Sequence, residues 1–168
     1  LTSLARLDGF QSPVLLGDVR VKVNGVGTFH ARRGTDDIIH VLTSREPLIR
    51  STIERLLSPG DVFIDAGANI GFFSVIASHM VGPSGHVYSV EMMPPTARQL
   101  KAHIAANNLG NVTVIEQALS DSDGGIVTAS AAPNKWGQAS IVAESDTDDR
   151  TVQYEVTSAR LDSLLASV

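Results

Sequence analysis

Three successive apolar runs in this chain each end at an acid or an amide, and those ends are where chemistry can be done. Asp65 closes Val62-Phe-Ile-Asp65 and opens the loop Asp65-Ala-Gly67-Ala-Asn69-Ile-Gly71. Glu91 and Met92 follow His86-Val-Tyr-Ser-Val90, and Gln117 and Ala118 follow Asn111-Val-Thr-Val-Ile115. An Asp at the last position of a strand is an acceptor for an ammonium group, directly or through water. Gly67 lets backbone approach a ligand, and Gly71 lets the following helix pack close to the sheet. Asn69 suits a helix cap or a ligand contact, and one side chain can be both. Glu91 falls about 20 residues beyond the glycine loop, where an acid chelates ribose hydroxyls. Gln117 can bond a purine edge while its neighbours, Ala118 among them, stack on the ring. Together these are the parts needed to hold an adenosyl amino acid.

The loop also discriminates between nucleotides. A dinucleotide fingerprint reads G-x-G-x-x-G. Here Asp65 stands where the first Gly belongs, and Gly67 to Gly71 leaves only G-x-x-x-G. An anion beside a pyrophosphate is repulsive by roughly a few kcal/mol in a partly buried site. Beside the amino group of S-adenosyl-L-methionine the same anion is attractive. A phosphate loop with Lys followed by Ser or Thr is absent, which removes the NTPase reading. S-adenosyl-L-methionine is therefore the expected cofactor. An NAD(P)-binding oxidoreductase domain and a non-catalytic nucleotide-binding module are the alternatives.

The elements that must position these residues are readable from periodicity. Val19-Arg-Val-Lys-Val23, Asn24-Gly25 and Gly27 to Ala31 predict a β-hairpin. Pro47 to Leu57 predicts a helix with a stripe of Leu48, Ile49, Thr52, Ile53 and Leu56. After Pro59-Gly60 the order is strand, helix (71–81), strand, helix (from Pro94, ending by Gly110) and strand, which implies right-handed crossovers in a parallel sheet. The run Val62 to Asp65 reads as a strand covered on both faces. The expected fold is α/β: a Rossmann-like doubly wound domain over 59–168 with an N-terminal β-hairpin and helix cap over 1–58. Ligands bind such sheets outside the carboxyl ends of the strands. Later, Ile126 to Ala131 and Val152 to Val156 predict a β-hairpin pair.

Composition bounds the rest. The chain has 168 residues, 43% hydrophobic and 18% charged, no Cys and a formal charge of −5. A globular core is affordable at that length, and disulfide, thiolate and cysteine-metal chemistry are excluded. The acid excess disfavours a nucleic-acid partner, and no apolar run spans a bilayer, so a cytoplasmic protein is expected. Five scattered His residues give no metal site; His40 and Asp37 are minor candidates for the cofactor mouth. Glu144 to Asp149 reads as a solvated acidic loop. Trp136, with Gly137 and Ser140, is a candidate acceptor-side loop, with core packing the preferred role for the ring.

Gly60-Asp-Val-Phe-Ile-Asp65-Ala-Gly67-Ala-Asn69-Ile-Gly71-Phe-Phe-Ser74, then Val90-Glu91, Asn107-Asn-Leu-Gly-Asn111-Val, Ala118-Leu-Ser-Asp121-Ser-Asp-Gly124 and Leu161-Asp-Ser-Leu-Leu165 resemble the FkbM family of class I S-adenosyl-L-methionine-dependent methyltransferases. The resemblance runs from about Thr35 to Leu165. It implies O-methylation of a hydroxyl on a small molecule or glycan, with Asp65 and Gly67 at the methionine part, Glu91 at the ribose, and Gln117 and Ala118 at adenine. The family continues with a further central strand beside the first, and this sequence stops before it. That half of the sheet, and the catalytic base, are expected to lie outside the 168 residues, leaving an uncovered edge prone to self-association.

Overall fold

The computed structural model describes residues 15–42, 46–132, 135–142 and 151–166. The acidic run Glu144 to Asp149 lies outside them. Strands β1 (Val19–Val23) and β2 (Gly27–Ala31) form the expected antiparallel hairpin, with Val19 opposite Ala31 and Val23 opposite Gly27. Phe29 and Ala31 are fully buried, while most of β1 faces solvent. A one-turn helix α1 (Asp37–His40) and then α2 (Pro47–Leu56) follow. The stripe read for α2 is only partly realised. Ile53 is buried, but Leu48 is 80% and Leu56 65% exposed, because no described element lies over that side of the helix.

The parallel core is β3 (Val62–Ala66), β4 (His86–Val90) and β5 (Val112–Ile115), in that spatial order. Helices α3 (Phe72–Val81) and α4 (Pro94–Ala106) make the crossovers. Among the described residues β3 pairs with β4 and is only partly covered on its faces, with Val62 60% exposed, whereas Val87, Ser89 and Val90 of β4 are buried.

Cap and body share one core. Val23, Val26, Phe29, Val41 and Ile53 pack with Ile70, Phe72, Val75 and Ile76. The hairpin is also bonded to α4. Asn107 Oδ1 accepts from the Thr28 amide at 2.7 Å, and its Nδ2 donates to the Thr28 carbonyl at 2.8 Å. His103 is a satisfied core histidine: Nδ1 lies 2.7 Å from the Ile70 carbonyl and Nε2 accepts from the His30 amide at 2.8 Å. Burial lowers its pKa.

The remaining strands, β6 (Ala118–Leu119), β7 (Ile126–Ala131), β8 (Ser140–Val142) and β9 (Val152–Ala159), form a separate sheet in the order β6-β9-β7-β8. β7 and β9 pair antiparallel, Val127 opposite Val156, as expected. Asp123 accepts from the Arg160 amide and the Ser163 hydroxyl, both at 2.7 Å, and so caps the short α5 (Leu161–Leu165). Those bonds hold its carboxyl below the usual range.

Candidate active site

The loop after β3 turns sharply because Gly67, at φ +79°, lies in the left-handed region that glycine tolerates. The Gly67 and Ala68 amides both donate to the Val90 carbonyl at 2.9 Å, tying the loop to the end of β4. Asn69 is left-handed too, at φ +51°, and its amide donates to Glu91 Oε2 at 2.8 Å. Glu91 Oε1 accepts from the Met93 amide at 2.9 Å. One buried carboxylate thus braces two loops at the carboxyl ends of adjacent strands. Gly71 caps α3 at φ +87°, and a Cβ there would run into Leu100 of α4. Its close packing is against a helix, not the sheet.

These loops enclose a cleft with two lobes that share Gly67, Asn69 and Gly137. The larger, about 420 Å³, is lined by Glu91, Met92 and Gln117, and by Leu119, Trp136 and Ile141. The smaller, about 220 Å³, is lined by Asp65, His40, Glu46, Phe72 and Phe73. Seven of the eight expected site residues converge on this region. Asp65, Gly67, Asn69, Glu91, Met92 and Gln117 line the cleft, and Gly71 sets the helix beneath it. Ala118 does not line it. Its side chain is buried with Met93, Ala129 and Val156, because alternation along the strand sends Gln117 and Leu119 to the cleft and Ala118 to the core. Trp136 packs on that core, the role preferred for it, and also lines the larger lobe. Asp37 is buried in an ion pair with Arg32, whereas His40 reaches the mouth.

Sequence reading missed a hydroxyl relay. Ser89 Oγ donates to Ser74 Oγ at 2.8 Å, which donates to Asp65 Oδ2 at 2.6 Å. Ser89 lies opposite Asp65 across the β3–β4 register, a signal available once the two strands are taken as parallel. Burial pushes the Asp65 carboxyl above its usual pKa, and the Ser74 bonds oppose the shift. Burial likewise raises Glu91, against the pull of the Met93 and Asn69 amides, and the charge on Asp65 adds to the rise. The walls therefore hold two costly buried acids, which a cationic ligand would relieve.

Two features fit the donor. The Asn69 side-chain oxygen is buried on the wall shared by both lobes without a hydrogen-bond partner, a vacancy suited to a ligand N–H or O–H. A Cβ at Gly67 would project into open space within the cleft, where a ligand must approach backbone. Among the described residues no three His, Cys, Asp or Glu side chains group as a metal site, and no helix is long and apolar enough to cross a membrane.

The chain is similar to several known proteins. The chain is 34% identical over 59 residues to a protein-L-isoaspartate O-methyltransferase of Ignicoccus hospitalis, covering 35% of this chain and 28% of that protein. It is 36% identical over 56 residues to an arsenite methyltransferase of Halobacterium salinarum, covering 33% and 14% respectively. The chain thus spans well under two thirds of these relatives. A solved structure of M. jannaschii TYW2 in complex with AdoMet aligns with TM-score 0.47 and 23% identity, over 59% of this chain and 42% of that one. The profile of the Methyltransferase FkbM domain matches residues 65–168, beginning at Asp65 itself. The chain belongs to the FkbM-domain family of Rossmann-like, S-adenosyl-L-methionine-dependent methyltransferases.

Proposed function

We propose that this chain carries the donor-binding side of an O-methyltransferase acting on a hydroxyl of a small molecule or glycan. One observation carries the reading: Asp65, Gly67, Asn69, Glu91, Met92 and Gln117, contributed by three strand ends, line one cleft. S-adenosyl-L-methionine, when bound, supplies an electrophilic methyl group on a sulfonium. Asp65 and the Asn69 oxygen accept from its amino-acid end in the smaller lobe. Glu91 accepts from ribose hydroxyls, and Gln117 bonds the adenine edge in the larger lobe. The Trp136–Gln138 turn roofs the junction, which limits water and fixes the donor for in-line displacement. The formal charge of −5 offers little to a phosphate backbone, which favours a compact acceptor over a nucleic acid. Calorimetry with S-adenosylhomocysteine and with NAD tests the donor assignment: binding of the first and not the second is expected, and the reverse overturns it. Turnover of labelled donor against hydroxylated small molecules, glycans and RNA then tests the acceptor class. Labelling confined to RNA would replace that part of the reading.

A further inference from the structure

Two fully buried hydroxyls stand behind Asp65. Ser74, in the first turn of α3, and Ser89, on β4, are both 0% exposed and line neither lobe of the cleft. Asp65 itself is partly exposed and lines the smaller lobe. The three side chains come from three elements, and the register that sets Ser89 opposite Asp65 brings them into one chain. Ser89 Oγ donates to Ser74 Oγ at 2.8 Å, and Ser74 Oγ donates to Asp65 Oδ2 at 2.6 Å.

The chain of donors has a direction. A serine hydroxyl has one proton to give. Ser89 gives its own to Ser74, which fills an acceptor site on that oxygen and leaves the Ser74 proton for Asp65. Two donors in series ending on a carboxylate oxygen suit the ionised acid, since a hydrogen bond to the charged form favours it. They also polarise one another, which strengthens the last bond. That bond works against burial, which disfavours the Asp65 charge. Glu91, at the end of β4, sets a like charge nearby, and Glu46 and His40 line the same lobe. From α3 it is Ser74 that meets the carboxylate. An ammonium group needs an acceptor that is both ionised and held in one orientation, and a bond to one of the two carboxylate oxygens supplies both.

Resting on the adenosyl reading of the cleft, we infer that Ser74 is a positioning residue that fixes the Asp65 carboxylate as acceptor for the ammonium at the ligand's amino-acid end, with Ser89 setting the direction of the Ser74 hydroxyl. The test is calorimetry on the 168-residue chain across a pH series, with two probes. S-adenosylhomocysteine carries the amino-acid end, and methylthioadenosine lacks it while keeping the ribose. Ser74→Ala should weaken S-adenosylhomocysteine about three- to tenfold at neutral pH and leave methylthioadenosine within about twofold. It should also move the acid-side loss of S-adenosylhomocysteine affinity to higher pH, because removing a donor to the charged form favours the protonated acid. The other groups around the lobe are the same in every variant, so a difference between the profiles reads Asp65. Ser89→Ala should give a smaller effect of the same pattern. Ser74→Thr, which keeps the hydroxyl, should recover part of the affinity and return the pH profile toward that of the unaltered chain. A merely structural hydroxyl would lower Tm and weaken both probes alike. Equal weakening of both probes, weakening of neither, or an unmoved pH profile overturns the assignment. Failure of both probes to bind the unaltered chain would instead bring down the adenosyl reading on which the assignment rests.

Discussion

Replacing Glu91 with Ala separates binding from bracing, because the structure assigns that carboxylate both tasks. Its loss removes charge-assisted acceptors for ribose hydroxyls, a direct penalty on binding of about 1–3 kcal/mol, or roughly five- to a hundredfold in affinity. It also strands the Asn69 and Met93 amides, which now donate at 2.8 and 2.9 Å. A buried amide left unpaired costs about 1–3 kcal/mol, so two would lower stability noticeably. Part of that is offset, because burying an ionised Glu91 is itself unfavourable, as its raised pKa records. The expected outcome is weakened S-adenosylhomocysteine binding by calorimetry together with a modest fall in Tm. Unchanged affinity with a lowered Tm would refute the ribose assignment and leave Glu91 as a brace between two loops.

Gly67→Val should abolish S-adenosylhomocysteine binding while changing Tm less than Gly71→Ala does; normal binding by the valine variant would move the site elsewhere. Both positions have positive φ, but a side chain at Gly67 enters open cleft whereas one at Gly71 strikes Leu100. Asp37→Asn should destabilise the chain by about 1–3 kcal/mol in denaturant melts, because it removes the charge that the half-buried Arg32 grips. Asp65 and Glu91 have raised pKa values, so over the window above the ordinary carboxylate range the folded chain binds more protons than the unfolded one. Their contribution to stability therefore increases as pH falls from neutral through that window and is lost as it rises again. Binding of the cationic donor should weaken over the same acidification. Melts and calorimetry on the Asp65→Asn variant, which should flatten both trends, check the sign. The exposed side chains of Leu48, Leu56 and Val62 should promote self-association of the 168-residue chain, read as mass by light scattering, and Val62→Lys should reduce it.

The strand ends were legible because each carries its chemistry in a local pattern: an apolar run, a punctuating acid, then glycines at turn spacing. The same holds for the hairpin at Asn24-Gly25 and for the β7–β9 pair, whose alternation is local. What stayed hidden depends on distance in the fold. Ser74 and Ser89 look like ordinary helix and strand residues until the register sets Ser89 opposite Asp65. Ala118 was grouped with Gln117 by adjacency, yet strand alternation parts them. His40, on a four-residue helix with little periodicity, reaches the cleft only because the Arg32–Asp37 pair folds its segment against α4.

A crystal structure of the chain soaked with S-adenosylhomocysteine tests the central claim most directly. The account predicts adenosine in the larger lobe, with its ribose on Glu91 and its base beside Gln117. The amino-acid end should lie in the smaller lobe within hydrogen-bond reach of Asp65 and the Asn69 oxygen. Ligand density outside this cleft, or an adenosine turned so that Glu91 touches neither ribose hydroxyl, would contradict it.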